Sequence, residues 1–136
     1  MIDAARATAA EHGITFRVAD HATSDSPNEL VRACVAHRLS ESPEVDAYIT
    51  GSAKSAMATA AAVEKLGRTI GGDIQIFTKE AVPLMHMFRP AILTVDEDVN
   101  RAGHFLARAA IHAIREPLAP PMQGLEVPVA KADAAR

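Results

Sequence analysis

The sequence predicts an α/β fold in which a parallel sheet is flanked by helices in three layers. Two short apolar, β-branched runs, 46–50 and 74–78, are separated by an alanine-rich stretch at 53–66 that has helical spacing. A strand, a helix and a second strand in this order form a βαβ unit with parallel strands and a right-handed crossover. The rest of the chain is organised around this unit, because such units bind ligands outside the carboxyl ends of their strands.

The composition is that of one soluble globular domain. The chain has 136 residues, of which 49% are hydrophobic and 23% charged, and its net charge is −3. This charge gives no reason to expect direct binding to nucleic acid or to an anionic membrane, and no apolar run is long enough to span a bilayer. Because the N-terminus does not resemble a signal peptide and Cys34 has no second cysteine to pair with, we expect a cytoplasmic protein.

Three elements are predicted before the βαβ unit. The first is a helix at residues 2–12, which ends at Gly13. The alternating, β-branched run at 14–18 predicts a strand. After a loop at 20–28, Ser26 is expected to cap a second helix, with Pro27 at its first position. One face of that helix carries its apolar residues, which are Leu30, Val31, Cys34, Val35 and Leu39.

The second half of the chain predicts one long helix between short elements. Residues 80–90 are apolar and irregular or briefly helical, and 92–95 form a short strand or hinge. Acids at 96–98 precede a helix at 99–114, which suits the helix dipole. Its apolar stripe consists of Val99, Ala102, Leu106, Ala109, Ala110 and Ala113. A last strand follows at 125–130, and 131–136 form a tail.

No enzyme or metal motif is present in the sequence. The run Gly51-Ser-Ala-Lys54-Ser55 lacks the glycines that a phosphate-binding loop requires directly before its lysine and five positions earlier. His104 and His112 are eight residues apart, which exceeds the four-residue step of a helical metal pair. We therefore predict no catalytic residue, no cofactor and no metal.

Polar residues do follow three predicted strands. Asp20 and His21 follow the strand at 14–18, Ser52 follows 46–50, and Glu80 follows 74–78. Because the carboxyl ends of parallel strands share one edge of a sheet, these four residues are predicted to line a polar ligand pocket.

The run from Val45 to Val95 resembles the effector-binding domain of the lactose-repressor (LacI/GalR) family of transcription regulators. The order and spacing of several short motifs carry this resemblance: Asp46-Ala-Tyr-Ile-Thr-Gly-Ser52, Ala56-Met57, Glu64-Lys-Leu-Gly67, Gly72-Asp-Ile74, Val82-Pro-Leu84, and Arg89-Pro90 leading to Leu93-Thr-Val95. More loosely, the match extends over residues 1–130. The chain departs from the family at four positions. The family's effector-contacting acid falls on Glu80, a second acid of the family is replaced by Ala53, an often aromatic position is His21, and Gly72 stands where the family has a proline.

The resemblance implies one lobe of a type I periplasmic-binding-protein-like fold, so that residues 1–130 form the C-terminal part of an effector-binding and dimerisation domain. It implies a small-molecule effector such as a sugar, no enzymatic activity, and DNA binding only through a helix-turn-helix that this chain does not contain. It also implies a homodimer, for which the apolar segment at 81–90 and the helix at 53–66 are the expected surface. The predicted interface residues are Leu84, Met85, Met87 and Phe88.

Two alternatives to a regulator stay open at this point, a solute-binding protein of related fold and a stand-alone flavodoxin-like enzyme. The position of the helix at 99–114 is also open, because in the family this helix packs on the other lobe, which the chain lacks. We expect it to pack against a second copy of the chain, or to fold back onto its own sheet through a change at residues 94–96.

Overall fold

The structure is a computed structural model that describes residues 1–19, 23, 25–80, 84–125 and 129–130, with the backbone alone at Glu80, His86, Phe88, Val129 and Ala130. The elements follow one another in the order α1 (Ile2–Glu11), α2 (Asn28–Glu41), β1 (Ala47–Thr50), α3 (Ala53–Lys65), β2 (Gln75–Glu80), α4 (Leu84–Phe88), β3 (Leu93–Asp96), α5 (Val99–Arg115) and β4 (Val129–Ala130). No described helix is long and apolar enough to cross a membrane.

The sheet has the order β1-β2-β3-β4, and its first three strands are parallel. Thr50 of β1 lies opposite Thr78 of β2, which in turn lies opposite Thr94 of β3. The two-residue strand β4 pairs antiparallel with β3. The predicted α/β class with a parallel sheet and flanking helices is confirmed, but the described helices pack closely on one face of the sheet only, so three layers are not seen among the described residues.

The core lies on one face of the sheet, where α3 packs against the strands and α2 packs against α3. Helix α3 buries four alanines and Val63, and these short side chains let its backbone come close to both neighbours. Helix α2 contributes Val31, Val35 and Leu39, while Cys34 is only half-buried and Leu30 is exposed. The sheet contributes Ile74 and Ile76, and the core is completed by Met85 and Ile92.

Among the described elements, no helix packs closely on the opposite face of the sheet. Ile49, Phe77 and Leu93 stand in one row across β1, β2 and β3, and they are 54%, 39% and 41% exposed. Neither α1 nor α5 packs closely on a strand. We call this row the open sheet face.

The predicted strand at 14–18 is wrong, since these residues have no sheet partner in the structure. An alternating β-branched pattern forms a strand only where a neighbouring strand supplies backbone hydrogen bonds. Here β1 is the edge of the described sheet, and the segment is instead tied to the end of α2, where Arg17 Nη1 donates to Ser42 Oγ at 3.2 Å.

The predicted cap of α2 is also wrong. The Ser26 hydroxyl accepts a hydrogen bond from the Thr23 amide at 2.9 Å, so it closes a turn within the preceding loop. The helix begins one residue later than expected, at Asn28, and Pro27 occupies the cap position without a side-chain hydrogen bond. The fixed φ of proline therefore sets the direction in which the chain enters α2.

Helix α5 forms as predicted and ends one residue later, at Arg115. Asp98 caps it, its carboxylate accepting from the Arg101 amide at 2.9 Å. No residue of α5 is buried, so the expectation that it folds back onto its own sheet is wrong. Part of the surface of α5 contacts the segment that follows the helix. Gly124 lies so close to the Phe105 ring that a Cβ added at Gly124 would be 3.0 Å from the ring.

The short helix α4 provides a direct test of the core, because it places two methionines in opposite environments. Met85 is fully buried and Met87 is 73% exposed. At concentrations at which the chain is monomeric, we expect Met85→Ala to lower the free energy of unfolding by about 2–5 kcal/mol, while Met87→Ala changes it by no more than about 0.5 kcal/mol. Urea denaturation followed by circular dichroism measures both values, and equal effects of the two substitutions would contradict this packing.

Tyr48 provides a second test, at alkaline pH. Its partial burial beneath α3 raises the pKa of the phenol above its usual 10.0, although Arg38 and Arg68 oppose this shift. The folded state favours the neutral phenol. The contribution of Tyr48 to stability is therefore complete below pH 10.0 and is lost as the pH rises through the folded-state pKa. We expect Tyr48→Phe to remove this part of the alkaline destabilisation.

The measurement for Tyr48 is direct, because it is the only tyrosine of a chain without tryptophan. Tyrosinate absorbance is followed against pH in the folded protein and in denaturant, and denaturation curves of the wild type and Tyr48→Phe are compared over the same pH range. A folded-state midpoint equal to the denatured one would disprove the shift.

Candidate functional site

The carboxyl ends of β1, β2 and β3 meet at one edge of the sheet, which we call the rim. Two buried threonines form its floor, directly opposite each other on β1 and β2. Thr50 Oγ1 donates to the Phe77 carbonyl and Thr78 Oγ1 to the Lys79 carbonyl, both at 3.2 Å. Because these hydroxyls are satisfied within the strands, ligand-binding groups at the rim must come from the residues that follow.

Ser52 is the first such residue, and the structure places it at the start of α3 as predicted. Its hydroxyl accepts from the Ser55 amide at 3.3 Å and lies 2.9 Å from the Ser55 hydroxyl, so Ser52 caps the helix. Next to it, Lys54 Nζ donates to the Asp25 carbonyl at 3.3 Å, which ties the first turn of α3 to the loop before α2. Ser52 is therefore held at the rim by its own helix cap.

Glu80 reaches the same edge at the end of β2. It lies two residues beyond Thr78, just as Ser52 lies two residues beyond Thr50, and these threonines are paired. The structure therefore brings Ser52 and Glu80 to neighbouring positions on the rim. The other two predicted site residues, Asp20 and His21, lie outside the described residues.

The sequence analysis missed Asp96 as a rim residue. It assigned this acid to the approach of the long helix, whereas Asp96 is the last residue of β3 and pairs in register with Glu80. Glu80 and Asp96 therefore occupy neighbouring positions at this edge of the sheet. The signal was available, because Asp96 follows a β-branched run just as Glu80 does.

Asn28 is a second residue that the sequence analysis missed. Lys54, at the start of α3, connects this helix to the start of α2. Beyond the ends of the two helices, Arg68 Nη1 donates to the Pro43 carbonyl at 3.3 Å. The helices therefore run parallel, and Asn28, the first residue of α2, lies towards the rim. Its Oδ1 atom is buried and has no hydrogen-bond partner in the part of the chain that the structure describes.

The described residues at or towards the rim carry a hydroxyl (Ser52), a carboxylate (Asp96) and an amide (Asn28), groups that can accept and donate hydrogen bonds to a polar, uncharged ligand. Among the described residues, no group of three His, Cys, Asp or Glu side chains is placed to hold a metal ion. A cavity of about 500 Å³ lies at the opposite edge of the sheet, between the loop after α3 and residues 89–91.

The predicted interface residues fall into different environments. Leu84 and Met87 are exposed on α4, whereas the Phe88 side chain lies outside the described residues. Met85 is buried in the core of its own chain and cannot contact a partner while that core is intact, which corrects its assignment. The alternation follows from the short helix, because successive residues of a helix point in different directions.

The comparisons with known proteins agree on one fold. A family model of the periplasmic binding protein-like domain matches residues 1–131. A LacI family transcriptional regulator from Arthrobacter sp. FB24, in complex with lactose, is 20% identical with a TM-score of 0.74 over 89% of this chain and 44% of its own. A LacI-family regulatory protein from Corynebacterium glutamicum is 22% identical with a TM-score of 0.67 over 89% of this chain and 46% of its own.

A third similar structure is a complex of the transcriptional regulator CelR with cellobiose, which is 18% identical with a TM-score of 0.72 over 85% of this chain and 36% of its own. No curated protein matches the chain in sequence. The chain spans less than half the length of each of these regulators. Since the family model covers nearly all of its residues, the chain belongs to the periplasmic binding protein-like domain family, and it shares its fold with LacI-family transcriptional regulators.

Proposed function

We propose that this chain is the effector-binding and dimerising region of a LacI-type transcription regulator. In this proposal the rim binds a small metabolite in the cytoplasm, and DNA is contacted by a helix-turn-helix outside these 136 residues. The observation that supports it most is the juxtaposition of Ser52 and Glu80 at the carboxyl edge of adjacent parallel strands. Ligands of open α/β sheets bind at this edge.

The effector we propose is a hydroxylated metabolite of the sugar class. Glu80 and Asp96 pair in register, and an ionised carboxylate accepts hydrogen bonds but cannot donate them. Sugar hydroxyls donate such bonds, and charge-assisted bonds are stronger than neutral ones. Two proteins of similar fold are complexes with lactose and with cellobiose, which supports the same class.

Control of DNA binding requires that the effector favour one conformation over another. A ligand shifts such an equilibrium only by the difference between its affinities for the two states. In this proposal the difference arises when a second lobe outside the chain closes over the bound effector. The rim residues supply the contacts that both states share.

The dimer in this proposal uses the exposed side chains of α4 and the neighbouring surface of α3. Leu84 and Met87 present apolar surface on α4, and Met57 does so on α3. Burying such side chains is worth about 1.5–3 kcal/mol for each one that becomes fully enclosed. Phe88 belongs to the same segment and stays part of the proposed interface.

The effector site is tested with Glu80→Gln, which removes a charge and keeps the size of the side chain. We expect the wild type to gain thermal stability with a disaccharide or a related polyhydroxylated metabolite. Glu80→Gln should weaken binding roughly tenfold or more, because hydrogen bonds to charged groups are worth about 1.5–3 kcal/mol. A thermal-shift screen followed by titration calorimetry, on this chain and on the full-length regulator, measures both effects.

The matched control for the effector site is Glu44→Gln. Glu44 is an exposed glutamate before β1, at the opposite edge of the sheet. Its substitution should leave ligand affinity unchanged. Equal losses in the two variants, or no loss in Glu80→Gln, would remove Glu80 from the site.

The proposed dimer is tested with Met87→Asp. A charge at this exposed position should raise the dimer dissociation constant at least roughly tenfold, since burying it would require desolvating the carboxylate. Leu118→Asp is the control, because Leu118 is almost fully exposed and lies beyond α5. Sedimentation equilibrium distinguishes the outcomes, and indistinguishable dissociation constants for the wild type and Met87→Asp would exclude this surface.

A further inference from the structure

We propose that the cavity at the edge of the sheet opposite the rim binds an oxyanion, the phosphate or carboxylate group of a small metabolite. We call it the arginine cavity, because Arg68 and Arg89 line it together with Glu64 and the loop that follows α3. Its volume of about 500 Å³ falls within the roughly 300–1,000 Å³ that is usual for small-molecule sites. The cavity lies away from the edge at which the proposed effector binds, so this proposal is independent of the effector site.

Contacts within the chain hold the walls of the arginine cavity. Asp73 Oδ2 accepts from the Thr69 amide at 2.7 Å, and Gln75 Nε2 donates to the Gly71 carbonyl at 3.1 Å, which closes the loop after α3. Gly71 has a φ of +83°, and a Cβ added there would lie 3.4 Å from the Ala91 side chain, so this loop rests against the segment after α4. The walls are therefore preorganised, which lowers the entropic cost of binding a ligand.

Arg68 supplies a positive charge that is fixed in place and not neutralised. Among the described residues its hydrogen-bond partners are neutral, since Nη1 donates to the Pro43 carbonyl at 3.3 Å and Nη2 donates to the Asp73 carbonyl at 3.2 Å. A guanidinium has five N–H donors, so Arg68 retains donors for a ligand. A planar guanidinium that is held in this way suits the paired oxygens of a phosphate or a carboxylate.

Arg89 adds a second guanidinium from the opposite wall. Its Nη2 atom donates to Glu64 Oε2 at 3.2 Å, and the two side chains are 49% and 43% exposed. An ion pair this exposed contributes little stability and is screened by salt, so a bound anion can compete with Glu64 for Arg89.

The electrostatic balance of the arginine cavity favours an anion. Two arginines and one glutamate give its lining a formal charge of +1. The cavity also lies at the C-terminal end of α3, where the helix dipole contributes about half a negative charge, which does not cancel this excess. The rim, in contrast, carries the carboxylate of Asp96. The two edges of the sheet therefore suit ligands of different chemistry.

The probe for the arginine cavity is inorganic phosphate. Sodium chloride at equal ionic strength is the reference, because salt screens exposed charges. We expect phosphate to raise the melting temperature of this chain above that in the chloride reference, and to bind saturably in titration calorimetry. A parallel titration with succinate distinguishes a phosphate ligand from a carboxylate ligand, since the anion that binds more tightly identifies the class.

Two substitutions in the arginine cavity should change phosphate affinity in opposite directions. Arg68→Gln should weaken binding at least roughly tenfold, because charge-assisted hydrogen bonds are lost. Glu64→Gln should strengthen binding roughly two- to fivefold, because it removes the carboxylate that competes for Arg89 and the exposed ion pair is weak. A purely structural role of Glu64 would not produce tighter binding.

Two further variants serve as controls. Arg115→Gln removes the same charge from an exposed position at the end of α5 and should leave phosphate affinity unchanged. Glu80→Gln should also leave it unchanged, which separates this cavity from the proposed effector site. Circular dichroism checks that each variant is folded, and Arg89→Gln replaces Arg68→Gln if the latter is not, because Arg68 also holds the loop after α3.

Four results would overturn the proposal. If neither phosphate nor succinate binds beyond the chloride reference, the arginine cavity is not an oxyanion site. Equal losses in Arg115→Gln and in the cavity arginine variant would mean that the anion responds only to overall charge. Unchanged or weaker binding by Glu64→Gln would show that the anion does not lie between these side chains, and an altered phosphate affinity of Glu80→Gln would place the anion at the rim.

Discussion

The close packing of the alanine-rich helix α3 is the interaction on which the rest of the structure depends. Its alanines allow the helix backbone to approach the sheet on one side and α2 on the other. Larger side chains at these positions would have to be accommodated by shifts of both neighbours, because protein cores are close-packed. The packing of the fold therefore depends on the small alanine side chains of α3.

This packing also orients the rim. Because α2 and α3 run parallel, with Lys54 joining their starts and Arg68 joining their ends, both helix N-termini point towards the edge where β1 and β2 finish. Helix N-termini carry partial positive charge, so this edge of the sheet is suited to groups that accept hydrogen bonds. The site and the core are thus consequences of one arrangement of two helices and three strands.

In this arrangement, one face of the sheet is packed against described helices and the other face is exposed. Ile49, Phe77 and Leu93 are aligned by strand register, so their exposure is a continuous surface rather than scattered residues. Helix α5 likewise has no buried residue among those that the structure describes. Continuous apolar surfaces of this kind mark interaction sites.

The sequence by itself determined the βαβ unit, the α/β class and the extents of α2, α3 and α5 to within one or two residues, because helical and strand periodicities are local properties. It also predicted that Ser52 and Glu80 share an edge, since that follows from parallel strands. Only the tertiary structure decided that 14–18 lacks a strand partner among the described residues and that Met85 is core while Met87 is exposed. Pairing and burial depend on residues far away in the chain, and no local pattern records which of them will be present as neighbours.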